Sequence, residues 1–430
     1  MHGRADMPDT PIPPATVDIA IVGAGIIGIC TAAHLAQTGR SVTVFDRTGI
    51  CEETSSGNAA AFAFSDVLPL SHKGMLRKLP SWLADPLGPL SIPPSYLPTL
   101  APWLWRFWRA GSPSRYESAL SAQAALMKLA EAEWARLMDA SGTRHMLREN
   151  GSLELYESEA EFQASLAGWA ARDRHGIGYR HVAGRELSDL QPGLSAQFIK
   201  GTFVPQWKTV SDPKVLGKAI WNHTKTNGAR FHRGAIDQIR PVGTDRDEKR
   251  IELRFNDGGI CIAREVIVAA GAWSHHLAAR LGDQIPLETE RGYNTTLPPT
   301  AFPVERQLIF SGHGFVVTPL DTGLRIGGAV ELAGLDRPAN YARSRAMLEK
   351  ARRFLPGLDA TGGREWMGFR PSLPDSLPVI GRSSSPNVLY AFGHGHLGLT
   401  QAAATGRLIA DLVLGKTASI DLSPFSPQRF

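Results

Sequence analysis

The sequence predicts an α/β protein in which a parallel-sheet, nucleotide-binding domain is interleaved with a second domain. Three observations carry that prediction. The stretch VDIAIVGAGIIGICTAAHLAQTGRSVTVFDR, Val17 to Arg47, reads as strand, glycine turn, helix and strand. A buried strand at Glu265 to Ala270 ends on small residues at Gly271, as the first ends at Gly23, and strand, turn and helix close the chain from Asn387 to Leu414. The blocks between are of other character, helical over Ser118 to Ser141 and strand-rich over residues 286–330. Nucleotide-type elements at the start, middle and end imply interleaving and not a linear pair.

The first unit has each part that a dinucleotide needs. Val17 to Val22 is a short apolar strand, and Gly23-Ala24-Gly25-Ile26-Ile27-Gly28 is GxGxxG at its end. A helix is expected from Ile26 to Thr38, capped by Gly39, with a second parallel strand over Ser41 to Asp46. Gly23 permits the tight turn, Gly25 the approach of backbone to a pyrophosphate, and Gly28 close helix–strand packing. The helix N-terminus offers unpaired N–H groups and partial positive charge to phosphate. Asp46 stands where a carboxylate accepts hydrogen bonds from an unphosphorylated ribose, which fits FAD or NAD and disfavours NADP.

The remaining elements follow in order. Cys51 to Phe62, CEETSSGNAAAF, is a small-residue stretch suited to passing close by a ligand. A Pro- and Trp-rich region covers residues 67–115, followed by the long helix and by a strand or hairpin at NGSLELYES. Helices are expected over 158–176, from Asp212, and over Arg343 to Leu355; a strand lies near Arg230 to Ile236, and a hairpin leads into Glu265 to Ala270. The expected division is a loose arm over 1–16, a nucleotide-binding domain over 17–75, 190–285 and 345–430, and a substrate domain over 76–189 and 286–344.

Composition narrows the function classes. With 43% hydrophobic and 20% charged residues, the 430-residue chain has the balance of a soluble globular protein with two or three cores. Its three cysteines, Cys30, Cys51 and Cys261, follow no pairing pattern, which argues against a disulfide framework and fits a reducing, cytoplasmic setting. The net charge is +5, but the basic residues are dispersed, and the one dense run, Asp245 to Arg250, mixes both signs as a solvated hairpin tip does. Nothing here forms a nucleic-acid patch. The four prolines by residue 14 mark an arm and not a signal peptide, and the glycines within Ile19 to Ala36 divide that apolar stretch into strand, turn and helix. His275, His276 and His313 lack metal-ligand spacing, so no metal site is expected.

The motifs IAIVGAGIIG…VTVFDR, ETSSGNAAAF, VIVAAGAWS, GFRPSLPDSLPVIG and GHGHLGLTQAAATGRLIADLV occur in this order over nearly everything after residue 17. In that order the chain resembles the D-amino acid oxidase-like (DAO) FAD oxidoreductases, and most nearly their bacterial D-amino acid dehydrogenase branch. The resemblance implies a glutathione-reductase-like FAD domain and a substrate domain with a mixed, largely antiparallel sheet. It implies oxidation of an amine Cα–N bond, with electrons passed to a quinone or another acceptor.

Position by position, the resemblance implies cofactor contacts at Gly23, Ala24, Gly25, Ile26, Ile27 and Gly28, and at Asp46 with Arg47. It adds the loop Thr54, Ser55, Ser56, Asn58, Ala59 and Ala60, an adenine-side contact at Ile236, and Ala270 with Gly271. Gly395, His396, Leu397, Gly398, Leu399 and Thr400 form the turn placed against the flavin. Arg370 matches the arginine that grips the substrate carboxylate in several members, the alternative being an arginine that caps the Pro371–Pro374 turn. Tyr293 either donates its hydroxyl to the same carboxylate or packs at the sheet edge. Glycine is usual in the family where this chain has Ala60, and a small or polar residue where it has His396. No cysteine lies near GFRPSLPDSLPVIG, so FAD is expected to be held noncovalently.

Within the resemblance, a D-proline or hydroxy-D-proline dehydrogenase and an O₂-using glycine/sarcosine-type oxidase are alternatives. Outside it stand a flavoprotein modifying tRNA amines and an NAD-dependent Rossmann protein. Trp103, Trp105, Phe107 and Trp108 with Arg106 and Arg109 form a basic aromatic helix with two readings, packing within the substrate domain or peripheral rest on the inner face of a membrane.

Overall fold

The computed structural model describes residues 13–72, 88–243 and 250–430. Residues 1–12 of the expected arm and 245–249 of the charged run lie outside the described residues.

The first sheet begins as the sequence requires. Strand Thr16–Val22 is followed by helix Ile26–Ala36 and strand Val42–Asp46, and the two strands pair in parallel, Ile19 opposite Val42 and Val22 opposite Phe45. Gly39 takes the left-handed conformation (φ +80°) that ends the helix. Arg230–Arg233 extends the sheet on one side and Ile260–Val268 on the other, both parallel. The far half of Ile260–Val268 pairs with Val388–Phe392, also parallel, while its first half forms an antiparallel ribbon with Arg250–Phe255 and Ile236–Val242. These strands read as nearly continuous Val, Ile and Ala because both faces are covered. Helices Ile26–Ala36, Pro213–Thr226 and Gly398–Val413 supply one cover, in one core that includes Ile29, Leu216 and Leu408.

The second sheet runs Arg364–Ser372, Glu288–Leu297, Gly323–Leu332, Phe315–Leu320, Gln307–Phe310, Ser152–Tyr156, Lys200–Val204 and Arg180–Ala183. All neighbours in that order are antiparallel except Gln307–Phe310 with Ser152–Tyr156. Its rear face packs on helix Ala342–Phe354 through Met347, Ala351 and Phe354. Its front face looks toward the first sheet.

The structure departs from the expected division at four places. Strands Lys200–Val204 and Arg364–Ser372 and helix Ala342–Phe354 join the second sheet or its core. Helix Pro113–Ser141, expected with the substrate domain, packs on Gly398–Val413, where Trp134 donates its indole N–H to Leu399 O and Thr400 O at 3.0 and 2.9 Å. The expected single strand at Arg230 to Ile236 is two strands broken at Gly234 and Ala235. Such exchanges rest on long-range pairing, which local composition does not encode.

Candidate active site

One cavity of about 1030 Å³ runs between the two sheets. Part of its wall is the glycine turn after the first strand. A Cβ on Gly23 would fall 2.3 Å from Ala269 O, and one on Gly28 would fall 1.9 Å from Gly23 O, so neither position tolerates a side chain. The Ser55 hydroxyl accepts the Ile26 amide at 3.0 Å, pinning the 54–60 loop over the helix N-terminus.

Asp46 is held from within. Its Oδ1 accepts from Thr48 N, Thr48 Oγ1 and Gly49 N at 2.8, 2.9 and 3.1 Å, and Oδ2 accepts from Ala24 N at 2.8 Å. A carboxylate has about four lone-pair sites in two oxygens, so Oδ2 keeps one for a ribose hydroxyl at the cavity wall. Beyond it the Arg47 guanidinium stacks 3.8 Å from the centre of the Trp273 ring, and Ile236 lines the wall opposite. The bare glycine cradle, open helix N-terminus and available acid fit an FAD pyrophosphate and ribose.

All the expected cofactor residues line the cavity except four. Ala24 lends its amide to Asp46, and Gly28 supports the turn from behind. Ser56 turns its hydroxyl back to the carbonyls of Glu52 and Glu53. Ala60 is fully buried with φ +58°, the conformation that the family's usual glycine adopts at little cost, and its amide bonds Asn58 Oδ1 at 2.8 Å. At the closing turn, Gly393 and Gly395 take positive φ (+85° and +53°), after which helix Gly398–Val413 points its first turn into the cavity. The Thr400 side chain ties down a neighbouring strand, accepting from Ala63 N at 3.0 Å and donating to Ala61 O at 3.2 Å. His396 turns its imidazole to Asp66, Nε2 to Oδ2 at 3.2 Å.

His394, in contrast, is buried. Its Nε2 meets Thr405 Oγ1 at 2.9 Å, Nδ1 has no partner, and burial lowers its pKa to about 3, so the ring is neutral at physiological pH. None of the three cysteines lines the cavity. No three His, Cys, Asp or Glu side chains converge as a metal site among the described residues.

Over the second sheet stands Arg370. Its Nη1 donates to Ala329 O at 3.2 Å, and its fork lies flat across Gly292, where a Cβ would meet Nη2 at 2.5 Å. It lines the cavity with no carboxylate in ion-pair contact among the described residues. Its register neighbour Glu290 takes the Ser372 hydroxyl at 2.6 Å instead. Burial pulls the guanidinium pKa down and the nearby Glu290 charge pushes the other way. The result is a half-free fork facing the cavity.

Tyr293 has its hydroxyl engaged within the second sheet. Its only proton goes to Glu331 Oε2, its oxygen accepts the Asn340 amide at 3.1 Å, and the ring is 1% exposed. Burial raises the phenol pKa to about 12. A phenol that has spent its donor on a carboxylate has none left for a substrate.

Arg325 escaped the sequence reading, although an arginine inside the otherwise apolar LRIGGAV was a signal. It donates to Thr296 Oγ1 at 3.1 Å and to the carbonyls of Ser56 and Asn58, bracing the 54–60 loop from below. Burial lowers its pKa to about 10, and it adds a fixed positive charge to the cavity wall.

The family profile of the FAD dependent oxidoreductases (DAO) matches residues 18–412. A D-amino-acid oxidase of Bradyrhizobium diazoefficiens is 34% identical over 420 residues, 96% of this chain and 98% of that protein. A D-amino acid dehydrogenase of Neisseria meningitidis serogroup C is 28% identical over 421 residues, 96% and 99% of the two chains. Among solved structures, glycine oxidase from Geobacillus kaustophilus superposes with a TM-score of 0.72 at 23% identity, over 97% of this chain and 100% of the other. The L-proline dehydrogenase from P. horikoshii gives 0.73 at 20% identity, over 97% and 98%. At those identities the two structures speak for the fold alone.

Proposed function

The chain belongs to the DAO family of FAD-dependent oxidoreductases, and from that premise we propose that it oxidises D-amino acids to imines, which hydrolyse to 2-oxo acids and ammonia. The observation that carries the reading is the half-free Arg370 fork at the cavity wall, the geometry that holds an α-carboxylate by two parallel hydrogen bonds. Bound FAD supplies the two-electron acceptor for the Cα hydride.

The residues of this chain orient and insulate. Arg370 fixes the carboxylate and with it the direction of Cα–H, and the two sheets exclude water from the reacting bond. His394 is tied to Thr405 and burial holds its pKa down to about 3, so it is a poor base, and the reaction requires only that the amine arrive unprotonated. Arg325 and the first turn of helix Gly398–Val413 present positive potential to charge that develops at the cavity wall during the transfer.

We assign the electrons to a quinone or a similar respiratory acceptor, reached from the cytoplasmic side. Helix Leu97–Ala110 favours contact with a membrane surface: Trp105 and Trp108 are 57% and 53% exposed and stack at 5.0 Å. From Gly88 to Tyr116 the sequence holds three arginines and no acid. Trp103 turns inward to Leu100 and Leu332, as the packing reading expects, and the outer face of the helix is left for the membrane contact proposed. No helix among the described residues is long and apolar enough to cross a membrane. A specific observation favours a second reading for the acceptor, since the 34% identical relative is named an oxidase.

One experiment tests the whole. The purified holoprotein is mixed anaerobically with D- and L-amino acids, and flavin bleaching is followed by reoxidation with a soluble quinone or with O₂. Bleaching by D-isomers with fast quinone reoxidation is the expected result. Fast reoxidation by O₂ alone assigns an oxidase, and bleaching by L-isomers only overturns the stereochemistry. Loss of binding to anionic phosphatidylglycerol vesicles in Trp105→Ala/Trp108→Ala checks the membrane contact.

A further inference from the structure

We propose that the part of the cavity lined by Glu154 binds a cationic group at the distal end of the substrate side chain, so that basic amino acids are the favoured substrates. The proposal rests on Arg370 holding the substrate carboxylate.

Glu154 lies on the front face of strand Ser152–Tyr156 and lines the cavity. Its Oε1 accepts the Ser311 hydroxyl at 2.8 Å, and no ion pair engages it among the described residues. Beside it the Arg172 guanidinium turns to Asp66 at 3.4 Å and to Ser65 O at 3.1 Å, stacked on Trp169 at 4.6 Å. Two carboxylates thus share the field of one guanidinium, which is in contact with Asp66 and not with Glu154, and the His396 imidazole also turns to Asp66. Burial raises the Glu154 pKa, while Arg172 lowers and Asp66 raises it to lesser degrees, the environment of a carboxylate that a cation would stabilise.

An independent observation points to a ligand at this end. Ser152, two residues along the same face, is fully buried, lines the cavity, and its hydroxyl has no partner. The Trp207 indole N–H, also at the wall, has none either. Buried polar atoms in proteins are seldom left so unless a water or ligand completes them.

The span fits an amino acid with a long basic side chain. Phe310 pairs with Phe315 and Phe315 with Gly328, and the Ala329 amide donates to Gly314 O, so Ser311 and Gly314, at the two ends of the turn joining two strands, lie in a row with Ala329 on the next strand. Ser311 holds Glu154 and Ala329 O holds Arg370, so the two charged ends stand about 10 Å apart plus the reach of one hydrogen bond. A lysine-length chain runs about 7.5 Å from carboxylate to ammonium. Contacts of about 3 Å at each end bring it to the same range.

The test compares ligands that differ only in the distal charge. In the wild-type holoprotein, kcat/KM for anaerobic bleaching by D-lysine should exceed that for D-norleucine by about tenfold or more, the yield of one charge-assisted hydrogen bond. Calorimetry should show 6-aminohexanoate, which has no α-amine to oxidise, binding about tenfold more tightly than hexanoate. In Glu154→Gln both ratios should fall toward one; as ratios within one variant, they cancel losses common to all ligands. A wild-type lysine-to-norleucine ratio at or below one, with D-alanine or D-norleucine still bleaching the flavin, overturns the subsite and leaves the amine oxidation standing. Preference for D-glutamate overturns it in favour of Arg172. No bleaching by any D-amino acid removes both readings. The wild-type ratios decide the matter even where the variant fails to fold.

Discussion

Replacing Arg370 by methionine separates a clamp from a structural arginine. The side chain keeps most of its volume, so repacking costs little. Among the described residues the only bond lost is that to Ala329 O at 3.2 Å, worth about 1 kcal/mol, and the change also removes an incompletely satisfied buried charge, which offsets it. Net stability and FAD content should therefore stay near wild type, with the unfolding free energy moving by less than about 1 kcal/mol. Catalysis should not. Removing one side of a desolvated, bidentate charge pair costs about 3–5 kcal/mol, which is about two to four orders of magnitude in kcat/KM. Arg370→Lys keeps the charge without the fork and should fall between the two. The assay is stopped-flow anaerobic flavin reduction over a substrate series, with FAD:protein ratio and flavin-fluorescence melting on the same samples. A variant with full FAD and a kcat/KM within about threefold of wild type would refute the clamp.

Three further outcomes follow from the same geometry. Tyr293→Phe strips a donor from Glu331 and an acceptor from the Asn340 amide, so it should lose about 1–3 kcal/mol in urea unfolding with KM nearly unchanged; a tenfold KM rise at full stability would restore the tyrosine to the substrate. Gly28→Ala drives a Cβ into Gly23 O, a backbone atom that cannot swing aside, and should purify with FAD well below one per chain. His34 and His394 are held neutral by burial, with pKa values of about 4 and about 3. Folded pKa values lie below the unfolded value near 6.5, so the unfolded chain takes up protons first and stability falls as pH drops below about 6.5. From pH 6.5 to 5.0 the two together should remove about 3 kcal/mol, and His394→Gln should cut the measured loss by about half of that, about 1.5 kcal/mol, in urea unfolding; an unchanged loss would show that His394 is protonated in the fold.

What could be read from the sequence was whatever lies within one run of chain. The Gly23–Gly28 turn, the Gly39 cap and the acid at Asp46 each depend on neighbours within about 25 residues, and each took its expected place. So did most helices, whose apolar spacing is a local signal. The second sheet was another matter. Eight strands drawn from residues 152 to 372 assemble out of order, and no local pattern says that Arg364–Ser372 pairs with Glu288–Leu297. The same limit hid the fate of side chains: the two readings of Tyr293 could not be separated because Glu331 is 38 residues away, and nothing local marked Arg325 as the brace of a loop 267 residues upstream.

The misassigned strand explains why the interleaving exists. The Thr54 hydroxyl donates to Phe369 O at 3.0 Å and accepts from Phe369 N at 3.3 Å, so the cofactor loop is sewn to the strand that carries Arg370 as its next residue. Asn294 adds a bond from the neighbouring strand to Gly57 O at 3.0 Å, and Arg325 adds its bonds to Ser56 and Asn58. A linear pair of domains would join the cofactor loop and Arg370 through a hinge, and a reaction between bound groups does not tolerate an error of about 1 Å between donor and acceptor. Threading the chain between the sheets replaces the hinge by backbone-level hydrogen bonds. The register between Arg370 and the 54–60 loop is thereby fixed before any substrate arrives.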